Sequence, residues 1–237
     1  RAETMESIQA SEPGRDLPEK LRNYIRFAFT NWGVQYVLLG GDVATVPCRY
    51  AYVHMNQKEV DSRLPCDLYF ACLDGSWNRD DDTRWGEPTD GEDGGDVDLL
   101  AEVWLGRAPV DTSAEAARFV AKTLRQEEAT EVGSVDMLVS AECLGRYSPS
   151  LVAQGGTMFD PLLHGLGPCS VEWLDDRPHT TPQWSNSQAI AALNLSPRFV
   201  LYNGHGDTDT MMRLRRQDLN DLTNARPFFI YSVGCHA

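Results

Sequence analysis

Three residues of the types used in acyl transfer each follow a short apolar run, and they are Glu142, His205 and Cys235. A cysteine attacks as its thiolate, and because a free thiol titrates near pH ~8.5 it needs a base or a positively charged partner. An imidazole supplies that partner near neutral pH, and a carboxylate behind the imidazole would fix its tautomer. The three types together predict a nucleophilic cysteine site, provided that the fold brings them into reach of one another.

The fold must bring these residues together although 63 positions separate Glu142 from His205 and 30 separate His205 from Cys235. Apolar runs predict strands over residues 34–39, 102–106, 135–141, 170–174, 198–203 and 227–233. Helical patterns lie between them, over residues 18–30, 112–130, 151–163, 187–193 and 218–222. Continuous apolar strands that alternate with helices indicate an α/β chain with a mostly parallel sheet. Sites in such sheets form beyond the carboxyl ends of the strands, where all three residues are predicted to lie.

Glycines surround the predicted site, in Gly204-His205-Gly206 and in Gly234-Cys235. They leave room for a substrate backbone, and the N–H groups of Gly206 and Cys235 could stabilise the oxygen of a tetrahedral intermediate. His236 is a rival base, but neighbouring residues at a strand end tend to point apart, which favours His205. Each feature alone has an ordinary explanation, namely a buried thiol, a solvated turn and a surface acid. Their joint placement at three strand ends favours the catalytic interpretation.

Composition excludes several classes of protein. The 237 residues carry 35 acidic and 21 basic side chains, a net charge of -14, which disfavours nucleic acid and anionic membranes as partners. No apolar run reaches the roughly 18 residues of a membrane span. Six scattered cysteines without a C-x-x-C pair disfavour a disulfide scaffold or a structural zinc site.

An acidic segment, residues 74–98, contains ten acids and two bases and is predicted to be a long polar loop. Oxygen-bearing side chains recur in it at short spacing, as in part of a calcium-binding loop: Asp74, Asn78, Asp80, Asp82 and Glu87. The EF-hand pattern fails, because its sixth and twelfth positions would be Thr83 and Thr89. A solvated acidic loop is the alternative, but ten acids within 25 residues repel one another unless a cation is bound, so we expect one calcium ion with ligands among these five residues.

Several blocks resemble the gingipain family of cysteine peptidases. Tyr202-Asn-Gly-His-Gly206 is followed about thirty residues later by a segment that runs from Pro227 to His236. Upstream, residues 36–42, 67–74 and 102–109 are similar to the first subdomain of that family. The resemblance implies a caspase-like fold, with mostly parallel sheets flanked by helices in two side-by-side subdomains. Residues 1–130 would form the first subdomain and residues 131–237 the first part of the catalytic one.

The same resemblance implies roles for individual residues. Cys235 would be the nucleophile, His205 the general acid/base and Glu142 the carboxylate that orients it, with the N–H groups of Gly206 and Cys235 forming the oxyanion hole. It also implies structural calcium, synthesis as a zymogen, and a secreted or surface-bound protein. The chain ends two residues after Cys235, whereas the family continues, so a second chain or a C-terminal remainder is expected to complete the fold.

The function predicted is therefore that of a cysteine endopeptidase acting on proteins or peptides through a thioester. A basic P1 residue is a family preference, but residues 143–159 contain no Asp or Glu, so we expect a neutral or different preference. The alternative is an inactive, calcium-dependent binding module on a peptidase fold. The intact trio of Cys235, His205 and Glu142 disfavours it, and a metal-dependent hydrolase is disfavoured by the lack of clustered histidines.

Overall fold

A computed structural model describes residues 1–55, 58–128, 135–148, 151–164 and 167–234. The chain divides into two compact units, Arg1–Phe119 and Val120–Ala237, and each has its own apolar core. The predicted boundary between residues 130 and 131 lies outside the described residues and stays a prediction. Within the described ranges, no helix combines the length and the apolar composition needed to cross a bilayer.

The first unit contains a parallel pair of strands that packs against helices. Its elements are α1 (Met5–Ser11), α2 (Leu17–Trp32), β1 (Tyr36–Gly40), β2 (Arg49–Met55), β3 (Lys58–Cys66), α3 (Leu68–Ala71), β4 (Trp104–Ala108) and the start of α4 (Ser113–Glu128). Strand β1 pairs in parallel with β4, and β2 pairs antiparallel with β3. The predictions of strands at 34–39 and 102–106 are confirmed, with shifts of about two residues at the ends.

Helix α2 illustrates how local sequence sets the first unit. The carboxylate of Asp16 caps it by accepting the backbone N–H of Glu19 at 3.0 Å, and Pro18 occupies its first turn. Gly33, at a φ of 66°, ends it in the left-handed region. Leu21 and Ile25 are buried against the unit's core, so capping and amphipathic spacing together fix the helix.

The second unit is built around a parallel sheet. Its elements are β5 (Met137–Ala141), β6 (Cys143–Ser148), β7 (Leu151–Gln154), α5 (Asp160–His164), β8 (Val171–Asp175), α6 (Asn186–Asn194), β9 (Phe199–Asn203), β10 (Thr210–Met211), β11 (Leu214–Arg215) and β12 (Phe229–Ser232). In the described chain the strand order is β12-β9-β5-β8, and each neighbouring pair is parallel. The fold class predicted from the sequence is therefore confirmed.

This strand order decides where the segments after the strands emerge. Strand β9 lies between β5 and β12, with Ala141 opposite Asn203 and Ser232 opposite Tyr202. Because the strands run in the same direction, their carboxyl ends meet at one edge of the sheet. The chain therefore leaves the sheet at that edge just before Glu142, just before the loop of His205, and again at Val233.

One predicted helix is wrong. The sequence pattern predicts a weak helix over residues 151–163, but Leu151–Gln154 forms β7 and pairs antiparallel with β6. Gly155 and Gly156 follow in a short 3₁₀ turn, and α5 occupies only Asp160–His164. Gly155 packs so closely that an added Cβ would collide with the carbonyl oxygen of Asn203, and this approach prevents a continuous helix of ordinary residues here.

The acidic segment is a loop, as predicted, apart from a 3₁₀ turn at Glu92–Gly94. Asp90 is completely buried within it, and its carboxylate accepts the backbone N–H groups of Arg79, Gly86 and Glu87 at 2.7, 2.9 and 3.0 Å. Asp96 similarly accepts the N–H of Ser76 at 3.0 Å. The acids therefore organise the loop's own backbone.

Candidate active site

Glu142 directly follows β5 and is buried, with 6 % of its surface exposed. Its backbone is fixed on both sides, because its N–H donates to the carbonyl of Asn203 at 3.0 Å and its carbonyl accepts the N–H of Gly155 at 2.9 Å. The residue is therefore held between the end of β9 and the glycine turn after β7. Burial of this carboxylate requires partners that satisfy its charge.

Tyr202 is the first of those partners. Its hydroxyl lies 3.0 Å from Oε1 of Glu142 and also within hydrogen-bonding distance of the carbonyl of His205. Burial, reinforced by the charge of Glu142, raises the pKa of Tyr202 above its ordinary value. The phenol therefore stays protonated at neutral pH and serves as a donor between the carboxylate and the histidine loop.

His205 lies in the loop after β9, and its side chain is exposed. The ring Nε2 lies 3.2 Å from the carbonyl oxygen of Cys143, the residue after Glu142. Within the described residues, no direct hydrogen bond joins the imidazole to the carboxylate of Glu142. The structure thus connects the two through Tyr202 and the backbone, and the predicted direct orientation of the ring stays a prediction.

Gly204, just before this histidine, is required by a close approach. A Cβ added there would lie 2.5 Å from the hydroxyl oxygen of Tyr202. Any larger residue would push the His205 loop away from the tyrosine or displace its hydroxyl. Gly206 follows the histidine and is half-buried, and its predicted role in an oxyanion hole is untested.

Cys235 and the rival base His236 lie outside the described residues. The described chain leads up to them along β12, where the N–H of Val233 donates to the carbonyl of Tyr202 at 2.9 Å. Gly234 follows and donates its N–H to the hydroxyl of Ser232 at 3.2 Å. The described chain therefore ends, at Gly234, just after a strand that pairs with β9, the strand that precedes His205.

Sequence reasoning missed the charged groups under Glu142. Arg213, in the turn between β10 and β11, places its Nε 3.7 Å from Oε1 of Glu142 and its Nη2 2.5 Å from Oδ2 of Asp176. Asp176 is almost fully buried and follows β8. Its position just beyond a strand end was a signal that could have identified it, whereas nothing in the spacing marks Arg213.

The predicted calcium ligands fall into two groups in the first unit. The carboxylate oxygens of Asp80, Asp82 and Glu87 lie within 4.8 Å of one another. Asn78 exchanges hydrogen bonds with the backbone of Asp82, since its Oδ1 accepts the N–H at 3.0 Å and its Nδ2 donates to the carbonyl at 2.9 Å.

Asp74 is not a member of the group formed by Asp80, Asp82 and Glu87. Its carboxylate forms a second group with Asp98 and Glu102, two residues that sequence reasoning did not include. The structure therefore groups the carboxylates of three of the five predicted ligands and places the carboxylate of Asp74 in a different group.

Comparison with known proteins gives one family and one solved structure. The family model of peptidase family C25 matches residues 2–237. A search of curated proteins found no significant match. The fold is similar to that of a chain in the complex of Porphyromonas gingivalis RgpB pro- and mature domains, with a TM-score of 0.66 and 17 % sequence identity. The match covers 99 % of this chain and 49 % of that one, so this chain spans about half the length of its structural relative.

Proposed function

Because the chain belongs to peptidase family C25, a family of cysteine peptidases, we propose that it provides the catalytic residues of a cysteine endopeptidase. The observation that supports this most directly is the position of β9 between β5 and β12 in a parallel sheet. That order directs Glu142, His205 and the segment before Cys235 to one edge. The order of strands thus supports, within a single unit, the convergence that the chemistry needs.

In the proposed reaction, the thiolate of Cys235 attacks the carbonyl carbon of a peptide bond and forms a C–S bond. His205 carries the proton of the thiol and delivers it to the leaving amine as the C–N bond breaks. Water, deprotonated by His205, then hydrolyses the thioester and releases the acid and the thiol. The N–H groups of Gly206 and Cys235 are proposed to stabilise the oxyanion in both steps.

Glu142 is proposed to act on the histidine loop through Tyr202. The O–H of the protonated phenol is within hydrogen-bonding reach of both the carboxylate and the carbonyl of His205, so Tyr202 can link Glu142 to the backbone that carries the imidazole. A carboxylate at this point also favours the imidazolium that forms during the reaction. Charge and position would therefore both be lost if the carboxylate were removed.

Substitution of the nucleophile tests this function. Cys235→Ala is expected to lower the rate of peptide cleavage by about 10⁴-fold or more and to abolish labelling by a thiol-reactive peptide inhibitor. Cys169→Ala, which changes a partly exposed thiol elsewhere in the second unit, is the matched control and should leave both unchanged. Cleavage that persists in Cys235→Ala would refute the proposal, and an inactive wild type that still binds peptide would favour the binding-module alternative.

The proposed P1 preference is neutral or different from basic. The hairpin of β6 and β7 follows Glu142 directly, and residues 143–159 contain no carboxylate that could pair with a basic side chain. A peptide library that varies only P1 measures this. Strict cleavage after Arg would contradict this preference and show that an acidic residue from another segment binds the P1 side chain.

We also propose that the acidic segment binds one calcium ion through Asp80, Asp82 and Glu87. Oε2 of Glu87 is buried and accepts no hydrogen bond from the described residues, and the guanidinium of Arg84 lies 3.9 Å from it. An oxygen in this state fits a hard cation, which takes six to eight oxygen ligands. Calcium bound there would tie three carboxylates of a crowded loop together.

Calorimetric titration with calcium tests this site. The wild type should take up one ion and melt at a higher temperature when it is bound, whereas Glu87→Gln should do neither. Glu92→Gln changes an exposed acid of the same loop and should behave as the wild type. Equal calcium uptake by Glu87→Gln and the wild type would exclude this ligand set.

Partners and compartment are proposed from the same relationships. The structural relative is a complex of pro- and mature domains. By analogy we propose that further polypeptide, as a propeptide or a second part of the peptidase, associates with this chain, and that the protein acts outside the cell or at its surface. Co-purification of a processed fragment with the active protein would test the first statement. Recovery of the active protein from the medium or the cell envelope would test the second.

A further inference from the structure

We propose that Arg213 is a positioning residue of the site, whose guanidinium ties the turn that follows His205 to the two buried carboxylates of Glu142 and Asp176. This proposal deepens the proposed peptidase function and rests on it. In the described chain the contacts of the Arg213 side chain are to Glu142, Asp176 and Trp184, so it would act through the residues that it holds.

The guanidinium contacts three separate segments of the chain, which follow β5, follow β8 and precede α6. Nη2 lies 2.5 Å from Oδ2 of Asp176, and Nε lies 3.7 Å from Oε1 of Glu142. Nη1 donates to the carbonyl of Trp184 at 2.5 Å, and the group lies over the indole ring at 3.8 Å from its centre. A planar group with donors on three nitrogens can make these contacts together, whereas an ammonium cannot.

The partners of Arg213 in turn hold both neighbours of Glu142. The carboxylate of Asp176 accepts the backbone N–H of Cys143 at 3.0 Å, and the indole N–H of Trp184 donates to the carbonyl of Ala141 at 3.2 Å. The carbonyl of that same Cys143 lies against the ring of His205. A shift of the guanidinium would therefore be transmitted to Glu142 from both sides and onward to the imidazole.

The turn that carries Arg213 is strained, and its side-chain contacts account for that strain. Met212 and Arg213 form a two-residue loop between β10 and β11, and both have positive φ values, 55° and 58°. Turns of this type favour Asn-Gly, because other side chains are strained in the left-handed region. Here Met212 is buried in the core and Arg213 is anchored on the carboxylates, so side-chain contacts maintain the strained backbone.

The charges of the buried carboxylates make the site sensitive to the loss of Arg213. The side chains of Glu142 and Asp176 are only 7 % and 2 % exposed, and Arg213 is the cation that reaches both. Among the described residues, the neutral phenol of Tyr202 also contacts Glu142, and the imidazole of His205 lies against the carbonyl of the next residue, Cys143. Removal of the guanidinium would leave two buried carboxylates to repel each other, which favours rearrangement of the site.

The test is Arg213→Asn in the intact protein, because Asn tolerates the left-handed turn while it removes the guanidinium. We expect kcat for a peptide substrate to fall about 100-fold with little change in KM, as misplacement of catalytic groups by a remote change can do. Arg213→Lys keeps the charge and should recover part of kcat. Arg216→Asn, an exposed arginine just after β11, is the control and should match the wild type.

Hydrogen exchange supplies a readout that does not depend on activity. In Arg213→Asn the amide of Cys143 should exchange about tenfold faster than in the wild type, and in Arg216→Asn it should not. An active wild type with unchanged kcat in Arg213→Asn overturns the proposal. If the wild type cleaves no peptide, the proposed function fails and unchanged exchange at Cys143 overturns this inference separately. If Arg213→Asn does not fold, the same two measurements on Arg213→Lys decide.

Discussion

Two groups of buried acids in this molecule are stabilised in different ways. In the first unit, the carboxylate of Asp90 accepts hydrogen bonds from backbone N–H groups that lie at most eleven residues away, all inside its own loop. In the second unit, Glu142 and Asp176 are satisfied in part by side chains 60 and 37 residues away, Tyr202 and Arg213. The first arrangement builds a loop, and the second joins strand ends that a reaction needs close together.

The difference teaches what a buried acid does in each place. A carboxylate that accepts hydrogen bonds from nearby backbone N–H groups stabilises one segment and does not link it to other parts of the chain. A carboxylate paired with remote side chains couples the segments that carry them, so its loss should be felt where those segments meet. Substitutions of the same kind in the two groups should therefore affect different properties.

Among substitutions of these acids, the largest effect is expected for Glu142→Gln. The amide oxygen can still accept from Tyr202, but the charge that faces Arg213 and favours an imidazolium is lost. We expect kcat for peptide cleavage to fall by about 10²-fold or more, with a smaller effect on the melting temperature. Glu172→Gln on β8, in the same sheet, is the control. If Glu142→Gln had the kcat of the wild type, the charge of Glu142 would contribute no more to the reaction than that of Asp90 in the loop.

Sequence alone predicts the parts of the site that depend on topology. Continuous apolar runs identify β5, β9 and β12, and the rule for parallel strands places Glu142 and the His205 loop at one edge of the sheet. Thr112 and Glu115 have the spacing of a capping box, and the helix start confirms it, with the N–H of Glu115 donating to Oγ1 of Thr112 at 3.2 Å.

What sequence could not predict depends on contacts between remote side chains. Arg213 lies 71 residues from Glu142 and sits in a turn whose residues are unusual for that geometry, so neither spacing nor turn preference marked it. The hairpin of β6 and β7 was missed because its residues show no regular alternation and its register is irregular. The phenol of Tyr202 belonged to a recognised motif, but its hydrogen bond to Glu142 follows only from the fold.

The next effect is expected on stability and not on activity. Asp90→Asn retains one oxygen but presents an NH₂ group to at least one of the three backbone donors. We expect the free energy of unfolding to fall by about 1–3 kcal/mol, the cost of leaving a buried donor unsatisfied, while kcat is unchanged. Urea denaturation measures the loss, and Asp93→Asn, an exposed acid of the same loop, should show none. A drop in kcat without a loss of stability would reverse the distinction between the two groups of acids.

The smallest effect concerns an acid of intermediate kind, Asp16, which both caps α2 and pairs with the remote Arg49 at 2.7 and 2.8 Å. Burial opposes its charge, but the hydrogen bonds from Arg49 and from the N–H of Glu19 outweigh burial and lower the pKa of Asp16. A lowered pKa in the folded state means that the ionised form stabilises the protein above the unfolded value, about 3.9, and that this stability is lost as the pH falls through the lowered pKa.

Asp16→Asn isolates that charge, because Asn is also a good N-cap and should preserve α2. The wild type should melt at a higher temperature than the variant above about pH 4, and the difference should shrink steadily at lower pH. Melting of both proteins between neutral and strongly acidic pH measures it. Equal melting temperatures of the two proteins at every pH would show that Asp16 acts through its cap alone, as a local acid like Asp90, and that its pairing with Arg49 contributes little because the carboxylate is partly exposed to solvent.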